Sequence, residues 1–141
     1  MMGVSQGHNG GSIEVKPIGY VLHEGEISKI IVLPEYTDGL RCIEGFSHLI
    51  IICWMHRARR DVLMVRPRPK PRLTCGVFAT RSPSRPNPLG LYVVTLLKRK
   101  NNELYIERID AYEGTPVVDI KPYIPDLDAR TDVKTGWLKD P

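Results

Sequence analysis

Residues 76 to 91 read GVFATRSPSRPNPLGL, and this stretch decides how the chain folds around it. Strand-forming residues stand at both ends, and three prolines, two arginines, an asparagine and a glycine lie between them. Because proline fixes φ and has no N–H to donate, the middle predicts a stiff connection outside the sheet interior. Two guanidinium groups on a stiff connection suit a carboxylate or phosphate ligand. A connection that only reverses the chain does not need so many prolines and arginines. The alternative is a proline-rich surface loop with solvated arginines.

Positive charge is concentrated around this stretch. The formal net charge of the chain is +4, but residues 57 to 85 contain nine basic residues against Asp61 alone. A surface of one sign attracts polyanions, whereas an ordinary soluble surface mixes both signs. We therefore predict a nucleic-acid partner. The candidate contacts are Arg59, Arg60, Arg66, Arg68, Lys70, Arg72 and Arg85.

Length and composition fit one cytoplasmic domain. A chain of 141 residues that is 42% hydrophobic can form a single packed core. The longest apolar run, Leu49 to Met55, suits a buried strand and is far shorter than a membrane span. The three cysteines include no Cys-x-x-Cys pair, which predicts neither a disulfide scaffold nor a metal site. Residues 1–12 lack the features of a signal peptide, and we expect a disordered lead-in there.

Short strands account for most of the remaining pattern. We predict them over Ile13–Leu22, Ser28–Leu33, Phe46–Met55, Asp61–Val65, Leu73–Thr80, Tyr92–Leu97, Leu104–Ala111 and Thr115–Tyr123. Neither Gly-x-Gly-x-x-Gly nor strand–helix alternation is present, which argues against a doubly wound nucleotide-binding fold. The predicted fold is mainly β: a small mixed or antiparallel β-barrel in a single domain, with short helical turns and a loose C-terminal tail. We expect the barrel over 13–125 and the tail over 126–141.

The chain resembles the TsaA-like family of TrmO-type methyltransferases. Residues 76–82 and 85–90 of the opening stretch carry the resemblance, together with three further segments in the family's order. These segments are IEGFSHL at 43–49, VRP at 65–67 and GTPVVDIKPY at 114–123. The match runs from about residue 18 to residue 125.

This resemblance implies a homodimeric β-barrel that binds S-adenosylmethionine. It further implies methylation of N6 of threonylcarbamoyladenosine at position 37 of tRNA, in the anticodon arm. Two other interpretations stay open. A methyltransferase of the same fold that acts on a small molecule leaves the basic segment unexplained. A non-catalytic RNA-binding module does not account for the intact loop at Arg81 or the intact 119–123 segment.

The chain departs from the family pattern at three places. Ser84 stands where a bulkier residue is frequent, and Tyr92 where a serine is common. The loop between Tyr20 and Ser28 is short, and relatives often carry a longer insertion there that helps to bind the cofactor. Its contact with the cofactor is therefore absent here or supplied by a second subunit.

The resemblance also implies where the cofactor binds. Arg81 would hold an anionic or hydrogen-bonding end of S-adenosylmethionine, and Leu91 would supply apolar contact. The full set of candidates is His56, Arg57, Arg81, Leu91, Glu113, Gly114, Thr115 and Pro116. The alternatives are a surface histidine at position 56 and a plain turn at 113–116.

Three polar residues surround Pro122 and are the catalytic candidates. Asp119 could orient or accept the proton of the reacting amine, and Tyr123 could stack on the base or hydrogen-bond to it. Lys121 could pair with a carboxylate or phosphate of the substrate. A structural ion pair between Asp119 and Lys121 is an equally open interpretation.

Overall fold

The structure is a computed structural model that describes residues 10–139, and its centre is a closed barrel of six strands. The strands in chain order are β1 (Gly19–Glu24), β2 (Ile27–Val32), β3 (His48–Trp54), β4 (Met64–Val65), β5 (Cys75–Gly76), β6 (Leu89–Lys100), β7 (Glu103–Glu107) and β8 (Pro116–Pro122). The order around the barrel is β1-β2-β7-β6-β3-β8, while β4 and β5 form a separate two-stranded ribbon. All pairs are antiparallel, so the predicted β-barrel is confirmed.

The helical elements are short. They are 3-10 helices at Pro34–Leu40, Ile43–Gly45, Val77–Ala79 and Gly136–Leu138, and the α-helix α1 at Pro125–Asp128. None of the helices within residues 10–139 has the length and apolar character needed to cross a membrane.

Strand β3 lies between β6 and β8 in the barrel and pairs with both of them. Its residues alternate in burial, as a strand with one face on the core must. Leu49, Ile51 and Cys53 are fully buried and pack against core residues from the other strands. Their neighbours Ile50 and Ile52 therefore lie on the outer wall, opposite Val93 and Leu91 of β6.

The connectivity gathers several strand ends at one end of the barrel, which we call the site end. Strand β3 finishes there at Trp54, while β6 begins there at Leu89 and β8 at Pro116. The loops that follow β3 and precede β6 are therefore neighbours in space, although more than 20 residues separate them in sequence.

The predicted strand at Ile13–Leu22 is wrong in its first half, because β1 begins only at Gly19. Ile13 and Val15 alternate with polar residues as in a strand, but Pro17 has no N–H with which to continue a ladder. Ile13 and Val15 instead line a groove on the outer wall beside Trp54 and Val118.

The predicted strand at Leu73–Thr80 is also shorter than expected, because only Cys75 and Gly76 pair with β4. The chain then turns into the 3-10 helix at Val77–Ala79. The Thr80 hydroxyl donates to the Val77 carbonyl at 2.9 Å, and the Thr80 N–H donates to the same oxygen at 3.0 Å. This local bonding competes with a continued strand and ends it.

The C-terminal segment, which the sequence predicts to be a loose tail, is exposed over nearly all of its described length but is hydrogen-bonded to the rest of the domain. After α1 the chain reaches the 3-10 helix at Gly136–Leu138, where Trp137 Nε1 donates to the Ala79 carbonyl at 2.7 Å. The tail is thereby attached to the start of the proline-rich loop. The predicted lead-in at 1–12 lies mostly outside the described residues, which begin at residue 10.

Candidate functional site

The proline-rich loop between Thr80 and Leu89 is held by one of its own arginines. Arg85 Nη1 donates to the Thr80 carbonyl at 3.0 Å and to the Ser82 carbonyl at 2.9 Å. The Ser82 N–H also donates to the Thr80 hydroxyl at 3.2 Å. With Pro83, Pro86 and Pro88 limiting the backbone, these bonds fix the loop at the site end.

A second arginine ties this loop to the one that follows β3. Arg60 Nε donates to the Pro86 carbonyl at 2.9 Å, and its guanidinium lies 5.0 Å from the centre of the Trp54 ring. The backbones of the two loops also meet, since the Arg85 N–H donates to the Arg59 carbonyl at 3.0 Å. Arg60 and Arg85 therefore hold the loop as well as contributing charge.

Arg81 is different, because its guanidinium makes no hydrogen bond or salt bridge with any residue in the 10–139 range. It lines a groove of about 740 Å³ at the site end, within the range typical of ligand sites. The other lining residues are Met55, Phe78, Pro83, Arg85, Pro86, Asn87, Leu89, Gly90, Leu91, Tyr92 and Asp110. Phe78 is 77% exposed and Leu91 50% exposed, so apolar surface lies open beside the cation.

A tyrosine and a carboxylate line the same groove. The Tyr92 hydroxyl donates to Asp110 Oδ1 at 2.9 Å. Burial and the neighbouring Asp110 carboxylate both raise the pKa of Tyr92, so the phenol keeps its proton at neutral pH. Asp110 Oδ2 has no partner among the described residues. The groove thus offers a cation, a carboxylate oxygen and apolar surface to one ligand.

The structure places His56 and Arg57 at the site end, directly after β3. The Arg57 guanidinium lies 4.5 Å from the centre of the Tyr112 ring, which joins this loop to the 111–115 turn. His56 is exposed. Both residues border the groove region without lining the groove itself.

Most polar groups of the predicted Glu113–Pro116 segment already have partners within the barrel. Glu113 Oε1 accepts from the His23 N–H at 2.7 Å, and the Gly114 N–H donates to the Val21 carbonyl at 2.8 Å. Thr115 is buried, and its hydroxyl donates to the Tyr112 carbonyl at 2.6 Å. This turn attaches β8 to β1, and its role in cofactor binding stays a prediction.

None of the three catalytic candidates lines the groove at Arg81: Asp119 and Lys121 lie on β8, and Asp119 lines a separate groove with Tyr36 and Cys42. Asp119 Oδ2 and Lys121 Nζ form a salt bridge of 3.1 Å, so the structural ion pair left open by the sequence is present. Asp119 and Leu91 both pair with Ile52, from opposite sides of β3. Two strand spacings therefore separate their backbones, about 10 Å. Tyr123 follows β8 at the far end of the barrel, where its N–H donates to the His48 carbonyl.

The remaining basic residues lie near the ribbon of β4 and β5, and all of them except the partly buried Lys70 are exposed. Arg59 pairs with Asp61 at 2.8 Å, and this hydrogen-bonded pair lowers the pKa of the Asp61 carboxyl. Lys70 Nζ donates to the Trp137 carbonyl. By contrast, Arg66, Arg68 and Arg72 have no carboxylate partner within residues 10–139, which leaves their guanidinium groups available to an external anion.

Sequence reasoning missed Phe78 and Asp110 as groove residues. Phe78 lies inside the opening stretch, where the sequence predicts a strand. Nothing in that predicted strand indicates that the Phe78 ring is highly exposed. Asp110 follows β7 by three residues and reaches the groove only because the barrel closes β7 onto β6. The described part of the chain has no cluster of three or more His, Cys, Asp and Glu side chains that could hold a metal ion.

The fold is thus an antiparallel barrel with a ligand-sized groove beside a loop fixed by prolines and arginines. Residues 13–129 match the family described as the tRNA-methyltransferase O N-terminal domain. The chain belongs to this family, and the resemblance stated from its motifs is confirmed.

Individual relatives agree with this assignment. A probable S-adenosyl-L-methionine-binding protein of Pyrococcus abyssi is 50% identical over 108 residues, which are 77% of this chain and 58% of that protein. A second probable S-adenosyl-L-methionine-binding protein, from Archaeoglobus fulgidus, is 48% identical over 122 residues, or 84% of this chain and 33% of that protein. The crystal structure of TrmO from Pseudomonas aeruginosa has a TM-score of 0.70 at 32% identity, with 88% of this chain and 62% of that chain covered. This chain therefore spans 33 to 62% of the length of these relatives.

Proposed function

We propose that this chain binds S-adenosylmethionine in the groove at Arg81 and transfers its methyl group to N6 of threonylcarbamoyladenosine at position 37 of tRNA, in the cytoplasm. The observation that carries the proposal is the exposed guanidinium of Arg81, which has no partner among residues 10–139, in a groove with open apolar surface, in a member of this family. The basic surface beside the groove favours an RNA substrate over a small molecule.

The groove suits the cofactor's chemistry. S-adenosylmethionine carries a carboxylate, an ammonium, a ribose diol and an adenine ring, and supplies an electrophilic methyl group on its sulfonium. Arg81 can donate to the carboxylate through a charge-assisted hydrogen bond. Asp110 Oδ2 can accept from the ammonium or from a ribose hydroxyl. Phe78 and Leu91 offer apolar surface to the adenine.

In the proposed reaction the chain acts mainly by positioning, since a fixed geometry alone can supply much of a rate enhancement. Asp119 lies on the outer wall across β3 from Leu91, where it could orient the substrate's N6–H or accept its proton. Lys121 holds the Asp119 carboxylate on that wall through their 3.1 Å salt bridge. An acyl-type substituent on N6 makes this proton more acidic, which is why a single carboxylate suffices in the proposal.

One reaction tests the proposed function. The purified chain is incubated with methyl-deuterated S-adenosylmethionine and either tRNA that carries threonylcarbamoyladenosine or the same tRNA without that modification. Mass spectrometry of the nucleosides should find the labelled methyl group on the modified adenosine of the first tRNA alone. Label in both tRNAs would contradict the requirement for the threonylcarbamoyl group. Label in neither, with cofactor binding intact, would contradict the tRNA substrate.

The proposed tRNA contact uses the three exposed arginines near the β4–β5 ribbon that have no hydrogen-bond or salt-bridge partner among residues 10–139. We expect simultaneous substitution of Arg66, Arg68 and Arg72 by alanine to weaken tRNA binding and to lower the slope of log affinity against log salt by roughly 2 to 3. The reason is that each lost phosphate contact removes its share of counterion release. Filter binding over a salt series measures both effects.

A charge-matched variant controls for net charge alone. Substituting Lys16, Arg41 and Arg130, which are exposed elsewhere, removes the same three charges and should leave the slope nearly unchanged. Equal slopes for the two triple variants would contradict the assignment of the tRNA surface.

We further propose that the chain forms a homodimer through the outer wall of β3 and β6. Three cross-strand pairs there are apolar on both sides: Ile50 with Val93, Ile52 with Leu91 and Trp54 with Leu89. The β6 members are 44 to 50% exposed, and contiguous apolar surface of this kind marks interaction sites. Because Leu89 and Leu91 also line the Arg81 groove, a second copy on this wall would cover one side of the bound cofactor.

The Val93→Lys substitution tests the dimer. It places a charge at the centre of the proposed interface, and we expect the dissociation constant of the dimer to rise by at least about tenfold. Sedimentation velocity over a concentration series measures it. Val133→Lys, at a position 58% exposed in the tail, is the matched control and should not change the dimer. A Val93→Lys protein that sediments like the unsubstituted chain would contradict this interface.

A further inference from the structure

A second groove adjoins the proposed cofactor groove and shares Arg81 and Pro83 with it. Its volume is about 610 Å³. The lining residues are Val65, Arg66, Pro67, Arg68, Pro69, Thr80, Arg81, Ser82, Pro83 and Trp137. Three guanidinium groups line this groove, and none of its lining residues within the described range 10–139 is a carboxylate. A groove of this composition favours an anionic ligand.

One hydrogen bond holds the indole of Trp137 in this groove, and a second holds its backbone. Its Nε1 donates to the Ala79 carbonyl at 2.7 Å, and its own carbonyl accepts from Lys70 Nζ. The ring is half-buried. In the described part of the chain no Lys or Arg side chain covers its face, whereas Arg60 lies over the ring of Trp54. Trp137 thus presents an aromatic surface of fixed orientation next to Arg66 and Arg68.

A fixed aromatic ring beside guanidinium groups matches the chemistry of a nucleotide. Unpaired bases stack on aromatic side chains, and arginine forks bind phosphate oxygens. Because Arg81 lines both grooves, a nucleotide in the second groove would lie next to the cofactor in the first. Resting on the proposed function, we propose that the second groove holds one unpaired nucleotide of the RNA, adjacent to the methylated adenosine. Its base stacks on Trp137, and Arg66 and Arg68 contact its phosphate.

Two substitutions at one position separate stacking from attachment of the tail. Trp137→Ala removes the ring, and we expect it to weaken binding of a tRNA anticodon arm by about 5- to 150-fold. Trp137→Phe keeps an aromatic ring but loses the bond from Nε1 to Ala79, and should retain most of the affinity. Leu138→Ala, at the exposed neighbouring residue, is the control and should bind like the unsubstituted chain. Thermal unfolding of all three variants verifies that each is folded.

Fluorescence gives a second measurement. The chain has two tryptophans, so Trp54→Phe leaves Trp137 as the only indole. We expect the emission of Trp137 to fall as the anticodon arm is added and to reach a plateau at saturating RNA, because a base stacked on the indole quenches its fluorescence.

The outcomes distinguish this inference from the function on which it rests. An RNA affinity unchanged by Trp137→Ala, an equal loss for Trp137→Phe and Trp137→Ala, or unquenched emission at saturating RNA would overturn the nucleotide site alone. Failure of the unsubstituted chain to bind the RNA at all would overturn both proposals. Failure to transfer the methyl group despite quenched Trp137 emission would overturn the proposed function and leave the nucleotide site in place.

Discussion

The Arg81→Ala variant is expected to bind S-adenosylmethionine about 10- to 100-fold more weakly than the unsubstituted chain. A hydrogen bond to a charged group contributes roughly 1.5–3 kcal/mol, and this variant leaves the ligand's carboxylate without its donor. Arg81 has no partner among residues 10–139, so its removal should not disturb the loop that Arg85 and Arg60 hold. Isothermal titration calorimetry measures the affinity, and thermal unfolding verifies the fold.

Two controls sharpen this test. Arg130→Ala removes an exposed arginine from the tail and should leave the affinity unchanged. Arg85→Ala should also weaken cofactor binding, but by freeing the loop, and should lower the unfolding temperature as well. Equal affinities for Arg81→Ala and the unsubstituted chain would remove Arg81 from the site.

The second large effect concerns stability. We expect Leu49→Ala to lower the free energy of unfolding by about 2–5 kcal/mol, because Leu49 is fully buried on the strand that joins β6 to β8. Leu97→Ala makes the same chemical change at a position 51% exposed and should cost within roughly 0.5 kcal/mol. Urea unfolding of the two variants measures the difference. Similar costs at both positions would contradict the placement of the core inside the barrel.

Much of the barrel could be predicted from the sequence because its strands carry strong local signals. The β2 region alternates buried and partly exposed residues, and the run around Ile51 is apolar enough for a strand with two neighbours. The errors in the predicted strands fall where a strand-like pattern has no neighbouring strand with which to pair. Ile13 and Val15 have a strand's alternation but no strand beside them, and Thr80 closes a local turn where a strand was predicted.

The site was less predictable than the fold. Arg81 and Leu91 were named from the sequence, and they line one groove. The sequence indicates Arg81 for the cofactor and Arg60 and Arg85 for the nucleic acid, but it does not predict that Arg60 and Arg85 hold the loop, because that role depends on their hydrogen bonds. Asp110 and Trp137 carry no local signal, because each reaches its groove only through the closure of the barrel or the return of the tail.

The most direct test of the account is a crystal structure of the chain with S-adenosylmethionine. We expect the ligand in the groove between Arg81 and Leu91, with its carboxylate on the Arg81 guanidinium and a donor group on Asp110. Density for the ligand outside this groove, for example in the separate groove lined by Tyr36, Cys42 and Asp119, would contradict the central claim.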